Sequence, residues 1–172
     1  IELPQLRKFD IGYVSKIKQL LSIIADSVPF IPNVSKLSEK IGINRVTLLT
    51  YFHYLAECKV TSNLFSDTKG ISLLQKPEKL YLENPNLAFA LGRNVNEGNL
   101  RETFFFNQLS HQHQVTLPKK GDFLVDQQWL FEVGGKNKSL LGPIESEYFV
   151  ASDGIEIGTQ NKIPLWLFGF LY

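Results

Sequence analysis

Apolar side chains recur at helical spacing in the first third of the chain. Between residues 11 and 27 they lie three or four positions apart, which predicts a helix. Shorter helices are predicted at 34–41 and 44–59, where Asn33 and Asn44 can cap the first turns and Gly42 supplies the turn between them. Extended runs at 60–65 and 71–82, separated by a polar turn, predict a hairpin. This order of elements predicts a winged helix-turn-helix domain over residues 1–88.

The second half of the chain reads mainly as short strands. A helix is predicted at 100–109, followed by strands at 113–117, 122–126, 129–133 and 148–151. Gln127 and Gln128 separate two of these strands, which predicts a hairpin centred on Gln127. The apolar run 163–172 is predicted to be a buried strand or short core helix, because a membrane-crossing helix needs about 20 residues. We therefore predict an α+β chain, with an α/β domain over residues 89–172 and no membrane contact.

The predicted hairpin brings two carboxylates together. With its turn at Gln127, Asp122 faces Glu132 across the ladder, and their Cβ atoms are expected about 5 Å apart. Such close carboxylates repel unless one is protonated or a cation lies between them. Mg²⁺ prefers oxygen ligands of this kind, so one interpretation is a metal site formed by Asp122 and Glu132. In the other interpretation the two acids are hairpin residues that pair with nearby lysines.

The residues around these acids resemble a known nuclease core. Residues 121–125 (GDFLV) and 131–136 (FEVGGK) are similar to the motif of the PD-(D/E)XK nuclease fold. From about residue 13 onward the chain also resembles the C-terminal region of a family of bacterial and archaeal AAA+-type ATPases. That region has a winged helix followed by a nuclease-like domain of unknown function. The most specific segments of the resemblance are 99–103, 121–125, 131–138 and 163–171.

In the nuclease interpretation, a lysine assists a metal held by acids, and a further acid lies on the preceding helix. The catalytic candidates are Glu102, Asp122, Glu132 and Lys136. The motif expects its lysine two residues after the second acid, and that position holds Gly134. Lys136 lies about 7 Å further along a regular strand, so it reaches the site only if Gly134 and Gly135 form a bulge. A nuclease fold that has lost cleavage is therefore the alternative.

The predicted winged helix indicates DNA as a partner. The candidate DNA contacts lie on the second and third helices and on the hairpin: Lys36, Lys40, Asn44, Arg45, Thr47, Lys59 and Lys69. Cations are few on the third helix, and the net charge of +1 gives no general attraction to nucleic acid. A winged helix that contacts a partner protein is therefore the alternative.

The amino-acid composition indicates the cellular compartment and shows which motifs the chain lacks. Cys58, predicted to be buried, is the single cysteine, which excludes an internal disulfide and favours a reducing, cytoplasmic compartment. No phosphate-binding loop motif is present, and the chain contains no methionine. We therefore expect a fragment of a longer protein, and the resemblance implies that an ATPase domain, where ATP would bind, lies upstream. The predicted function is a DNA-associating region with a degenerate or conditional Mg²⁺ nuclease-like site; the alternative is a non-catalytic protein-interaction domain.

Overall fold

A computed structural model of the protein describes residues 11–27, 29–66, 75–91, 95–139 and 147–171. The helices are α1 (Ile11–Ala25), α2 (Val34–Ile41), α3 (Arg45–Glu57), α4 (Pro85–Leu91) and α5 (Glu97–Ser110). The strands are β1 (Thr61–Leu64), β2 (Lys79–Leu82), β3 (Val115–Thr116), β4 (Phe123–Val125), β5 (Trp129–Gly134), β6 (Tyr148–Ser152) and β7 (Lys162–Pro164). A 3-10 helix, Leu165–Phe170, follows β7. The mixed helix and strand content confirms the predicted α+β class. None of the helices in the described ranges combines the length and the apolar character needed to cross a bilayer.

The short helices of the first half begin where their capping residues predict. The side-chain oxygen of Asn33 accepts a hydrogen bond from the backbone N–H of Lys36 at 3.1 Å, and that of Asn44 accepts one from Thr47 at 2.8 Å. Gly42 ends α2 with φ +70°, a left-handed conformation that glycine adopts without steric cost. The predictions for these helices are confirmed. The helices and β2 bury one apolar core. Its members include Leu20, Ile24, Leu48, Phe52 and Leu80.

The chain divides into two compact units, the first formed by residues 1–63 and 71–95 and the second by residues 64–70 and 96–172. The predicted boundary after residue 88 falls inside α4. Pro85 opens α4, and proline suits this first helical position because its missing N–H would have no partner there. Since α4 packs against α1 and β2, the first unit extends beyond the predicted boundary.

The second unit is built on a five-stranded sheet with the order β3-β4-β5-β6-β7. The strands β3, β4 and β5 are antiparallel neighbours, whereas β5, β6 and β7 are parallel. Leu124 pairs with Leu130 and Val125 with Trp129, which confirms the predicted hairpin and its register. The turn places Asp126 and Gln127 at φ 51° and 59°, as in the tight turns that fit the twist of a hairpin.

Helix α5 covers one face of this sheet through an aromatic core. Phe105 is fully buried, and its ring centre lies 5.2 Å from that of Phe123, 5.0 Å from that of Phe131 and 4.8 Å from that of Phe168. Phe168 comes from the 3-10 helix, so both ends of the unit meet at Phe105. These contacts fix β4 and β5 relative to α5.

Two predictions of burial are wrong. The C-terminal segment buries Leu165 and Phe168 but leaves Trp166 51% and Phe170 76% exposed, because a short helix on the surface turns only one side inward. Cys58 is exposed, since it is the C-cap of α3 and lies beyond the last inward-facing turn.

Candidate functional site

The two predicted acids lie on the same hairpin and reach one shared cation. Asp122 directly precedes β4, and its backbone N–H bonds to the carbonyl of Phe131 at 2.9 Å. Its carboxylate also accepts a hydrogen bond from the N–H of Val133 at 2.8 Å. Glu132, on β5, is only 1% exposed and accepts a hydrogen bond from the Tyr148 hydroxyl at 2.8 Å. Both carboxylates are therefore held in fixed positions by the sheet.

The shared cation is the ammonium of Lys138. Its Nζ lies 2.7 Å from Glu132 Oε2 and 3.5 Å from Asp122 Oδ2. Burial alone would lower the pKa of Lys138, but the hydrogen bond to Glu132 and the charges of both acids outweigh that effect and raise its pKa. Lys138 is therefore positively charged at neutral pH and compensates the two carboxylates.

The backbone after β5 folds Lys138 back onto the sheet. The N–H of Lys138 bonds to the carbonyl of Gly135 at 2.9 Å, which closes a tight turn. The side chain then passes over Gly134, where an added Cβ would lie 2.9 Å from Cβ, Cγ and Cδ of Lys138. Lys138 therefore occupies the space above the position at which the nuclease motif expects its lysine. The absence of a side chain at residue 134 is what makes this arrangement fit.

Lys136, the lysine predicted for the site, takes a different position. The fold-back at the two glycines exists, but it brings Lys138 to the acids and leaves Lys136 exposed. Lys136 lines an adjoining open cleft of about 460 Å³, which it shares with Arg101, Lys138 and Asp153. Glu102, the remaining catalytic candidate, is half-buried on α5 and directly follows Arg101.

The donor set decides which metal could fit here. Within the described ranges there is no group of three or more His, Cys, Asp or Glu side chains arranged to hold a metal ion. A metal that needs three side-chain ligands therefore has no site in this part of the chain. Mg²⁺ is commonly held by one or two carboxylates together with water and substrate phosphates, and the oxygen donors of Asp122 and Glu132 suit that ion.

The predicted DNA-binding residues of the first unit are mostly on the surface. Lys36, Lys40, Asn44, Arg45 and Lys59 are exposed and Thr47 is half-buried, whereas Lys69 lies outside the described residues. Two of them have other partners: the Asn44 side-chain oxygen caps α3, and Lys59 Nζ lies 3.8 Å from Glu83. Val46, 58% exposed, shares the start of α3 with Arg45. This surface is therefore part cationic and part apolar.

Several residues at the site were missed by the sequence analysis. Lys138 lies inside the segment 131–138, and the glycine pair before it was the available signal for a fold-back. Tyr148 and Asp153 had no sequence signal, because they come from β6 and the turn after it, which pair with β5 only in the folded sheet. Comparison of the chain with protein-family models, with curated proteins and with solved structures finds no match, so the resemblance to AAA+-type ATPases stays a prediction.

Proposed function

We propose that the second unit is a PD-(D/E)XK nuclease-like domain that cuts phosphodiesters with Mg²⁺. Its site residues would be Asp122, Glu132 and Lys138. In this proposal the whole chain, with a winged helix as its first unit, is the DNA-associating C-terminal region of an AAA+-type ATPase. The observation that supports the nuclease site is the single ammonium that contacts carboxylates from two paired strands. It supplies the acid, acid and lysine of the motif despite the glycine at residue 134.

Each side chain has a specific task in this proposal. Asp122 and Glu132 would hold the ion, and the Tyr148 hydroxyl fixes the second oxygen of Glu132. Bound Mg²⁺ would polarise the phosphoryl group and lower the pKa of a water toward neutrality. Lys138, kept charged by the acids, would donate hydrogen bonds to a phosphoryl oxygen or to the attacking water. A charged donor aimed at developing negative charge is an effective source of rate acceleration.

The same geometry makes the site conditional. The ammonium of Lys138 lies where an ion bridging the two acids would have to approach, and Glu132 is almost fully buried. Mg²⁺ would therefore compete with Lys138 for the carboxylates and would bind when that side chain turns away. An incoming phosphate gives the ammonium an alternative anionic partner, so we expect nucleic acid to favour metal binding.

Metal titration tests this competition directly. We expect Lys138→Gln to strengthen Mn²⁺ binding, measured by electron paramagnetic resonance, because it removes the competing ammonium. Glu132→Gln should abolish the same binding, and Glu156→Gln, at an exposed acid outside the site, serves as the matched control. If Lys138→Gln leaves Mn²⁺ affinity unchanged in a folded protein, the competition does not exist.

Cleavage of labelled DNA tests the catalytic assignment. Mg²⁺-dependent cutting should be lost in Asp122→Asn and in Lys138→Gly but retained in Glu156→Gln. The double variant Gly134→Lys, Lys138→Gly moves the lysine to the motif position and vacates the space above it, so it should recover part of the activity. Cutting that persists in Asp122→Asn would rule out the proposed site.

A second candidate function is a non-catalytic domain that binds a partner protein. It is favoured by two exposed aromatic side chains of the C-terminal 3-10 helix, Trp166 at 51% and Phe170 at 76% exposure, whose ring centres lie 6.1 Å apart. Exposed apolar groups clustered in this way are typical of interaction surfaces. Absence of both cutting and DNA binding in the wild type, with a partner complex that Phe170→Ser weakens, would favour this function.

A further inference from the structure

The cleft beside Lys138 lies at a position in the sheet where ligands commonly bind. It lies just beyond the point where the parallel neighbours β5 and β6 end, at the paired residues Gly134 and Ser152. The turn 135–138 and the pair Asp153 and Gly154 continue from these ends and line the cleft. In open α/β sheets, ligands bind in the crevice outside the carboxyl ends of parallel strands.

The charges of the cleft favour an anion. Its lining carries three cations, Arg101, Lys136 and Lys138, against one acid, Asp153. Lys138 is compensated by the hairpin acids, and Arg101 is held by Asp153. Lys136 is exposed, and no ion pair of its side chain is found within the described residues. Lys136 can therefore pair with a ligand without first breaking a bridge.

Arg101 is positioned to use several donors at once. Its Nε bonds to Asp153 at 2.8 Å and its Nη2 to Glu97 at 2.8 Å. A guanidinium has five N–H donors, so these two bonds fix its orientation and leave others for a ligand. Gly135 lies beside it, and a Cβ added there would be 3.6 Å from Arg101 Nη1. A planar, oriented guanidinium with spare donors is well suited to phosphate oxygens.

The backbone beneath these cations is held in place. The Lys162 ammonium donates to the carbonyl of Lys136 at 2.8 Å, and the Ser152 hydroxyl donates to that of Gly135 at 3.2 Å. The N–H of Asp153 bonds to the carbonyl of Gly134 at 2.7 Å. The turn that carries Lys136 is therefore hydrogen-bonded to β6 and β7. A turn held in this way loses less conformational entropy when a ligand binds.

We infer that this cleft binds a phosphate group, held by Arg101 and Lys136. The group is a backbone phosphate of a nucleic-acid strand whose next phosphodiester lies at Asp122 and Glu132. Lys138 lines the cleft and also contacts both acids, so it connects the cleft to the acid pair. The nucleic-acid source of the phosphate rests on the proposed function, whereas phosphate binding itself does not.

Titration with inorganic phosphate tests the cleft without any cutting. We expect saturable NMR shifts of the Gly135 and Gly154 amides in the whole chain, against chloride at equal ionic strength. Lys136→Gln should weaken this binding about fivefold, the scale of one exposed charge contact, while Lys119→Gln, an exposed lysine of the same unit, should not. Because Lys136 is exposed, its variant should fold, and unchanged amide spectra elsewhere will verify this. Equal affinities of the two variants, or no saturable shift in the wild type, would overturn the proposal.

A second arm identifies the source of the phosphate. A short single-stranded oligonucleotide should displace inorganic phosphate from the same amides, and the salt dependence of its binding should weaken in Lys136→Gln. Binding of phosphate without displacement by the oligonucleotide would keep the cleft as a site for free phosphate and overturn the strand assignment. Glu132→Gln separates the two proposals, because it should remove Mn²⁺ binding and cutting but should not weaken phosphate binding.

Discussion

Replacing Gly134 by alanine should dislodge Lys138 from both carboxylates. The added Cβ would lie 2.9 Å from Cβ, Cγ and Cδ of Lys138. Non-bonded carbon atoms do not approach this closely, so one of the two residues has to move. The far end of the lysine is flexible, but its Cβ is tied to the turn, so the whole side chain has to move. Glu132, 1% exposed, then loses its ammonium and retains only the Tyr148 hydroxyl.

The magnitude follows from the burial of the two partners. Removing one partner of a fully buried pair costs about 3–5 kcal/mol, whereas exposed pairs are worth about 0–1 kcal/mol. The Lys138 side chain is 32% exposed and that of Glu132 1%, so water screens this pair from one side. We therefore expect Gly134→Ala to lower the free energy of unfolding by about 2 kcal/mol.

Urea unfolding followed by tryptophan fluorescence reports this change selectively, since both tryptophans, Trp129 and Trp166, belong to the second unit. Gly135→Ala is the matched control, because its Cβ would make only ordinary contacts at 3.6 Å and beyond. In a Lys138→Gly background, Gly134→Ala should cost close to nothing, as the atoms it meets are gone. Equal losses for the two alanine variants, or no coupling between residues 134 and 138, would refute this account of the site.

The other predictions concern pH and the first unit. The pKa of Lys138 is raised above its ordinary 10.5. Its stabilising effect is therefore present below that pH and is lost as pH rises through the raised value. The stability difference between wild type and Lys138→Gln, measured by urea unfolding, should shrink above about pH 10.5. The hydrogen bond with His113 lowers the pKa of Asp126 below its ordinary 3.8, so its stabilisation is present above pH 3.8 and lost as pH falls through the lowered value; Asp126→Asn should remove this acid-dependent loss in the same assay. Asn44→Ala removes the cap of α3 and should lower stability by about 1 kcal/mol, measured by circular dichroism, whereas Asn86→Ala, at an exposed position of α4, should cost almost nothing. Arg45→Gln should weaken DNA binding several-fold in dilute salt, while Lys18→Gln on α1 should not; equal shifts would argue against α3 as the DNA contact.

The local features of the fold were accessible from the sequence. Asn33 and Asn44 cap helices because a short acceptor side chain before an apolar helical run satisfies the free N–H groups of the first turn. The hairpin register followed from two apolar runs around Gln127, since a slip by one residue would turn every core side chain to the opposite face. The facing of Asp122 and Glu132 came from that register alone.

The remaining features depend on pairing between distant segments. Nothing in the sequence indicates that β6 pairs in parallel with β5, so the hydrogen bond from the Tyr148 hydroxyl and the ion pair of Asp153 with Arg101 could not be anticipated. The choice of Lys138 over Lys136 depends on the turn that Gly135 closes and on the space above Gly134. Both are consequences of backbone geometry rather than of residue spacing.

The central position of β5 in the sheet has a consequence for the order in which the second unit folds. Three residues, 126–128, separate β5 from its antiparallel partner β4, so this pair can form early. Strand β6 pairs with β5 only across a longer connection, and such non-local pairing is slow. Tyr148, whose hydroxyl donates to Glu132, is part of β6 and reaches the site only when that strand has paired. The Glu132 carboxylate therefore gains the hydrogen bond from Tyr148 only when the parallel half of the sheet has formed.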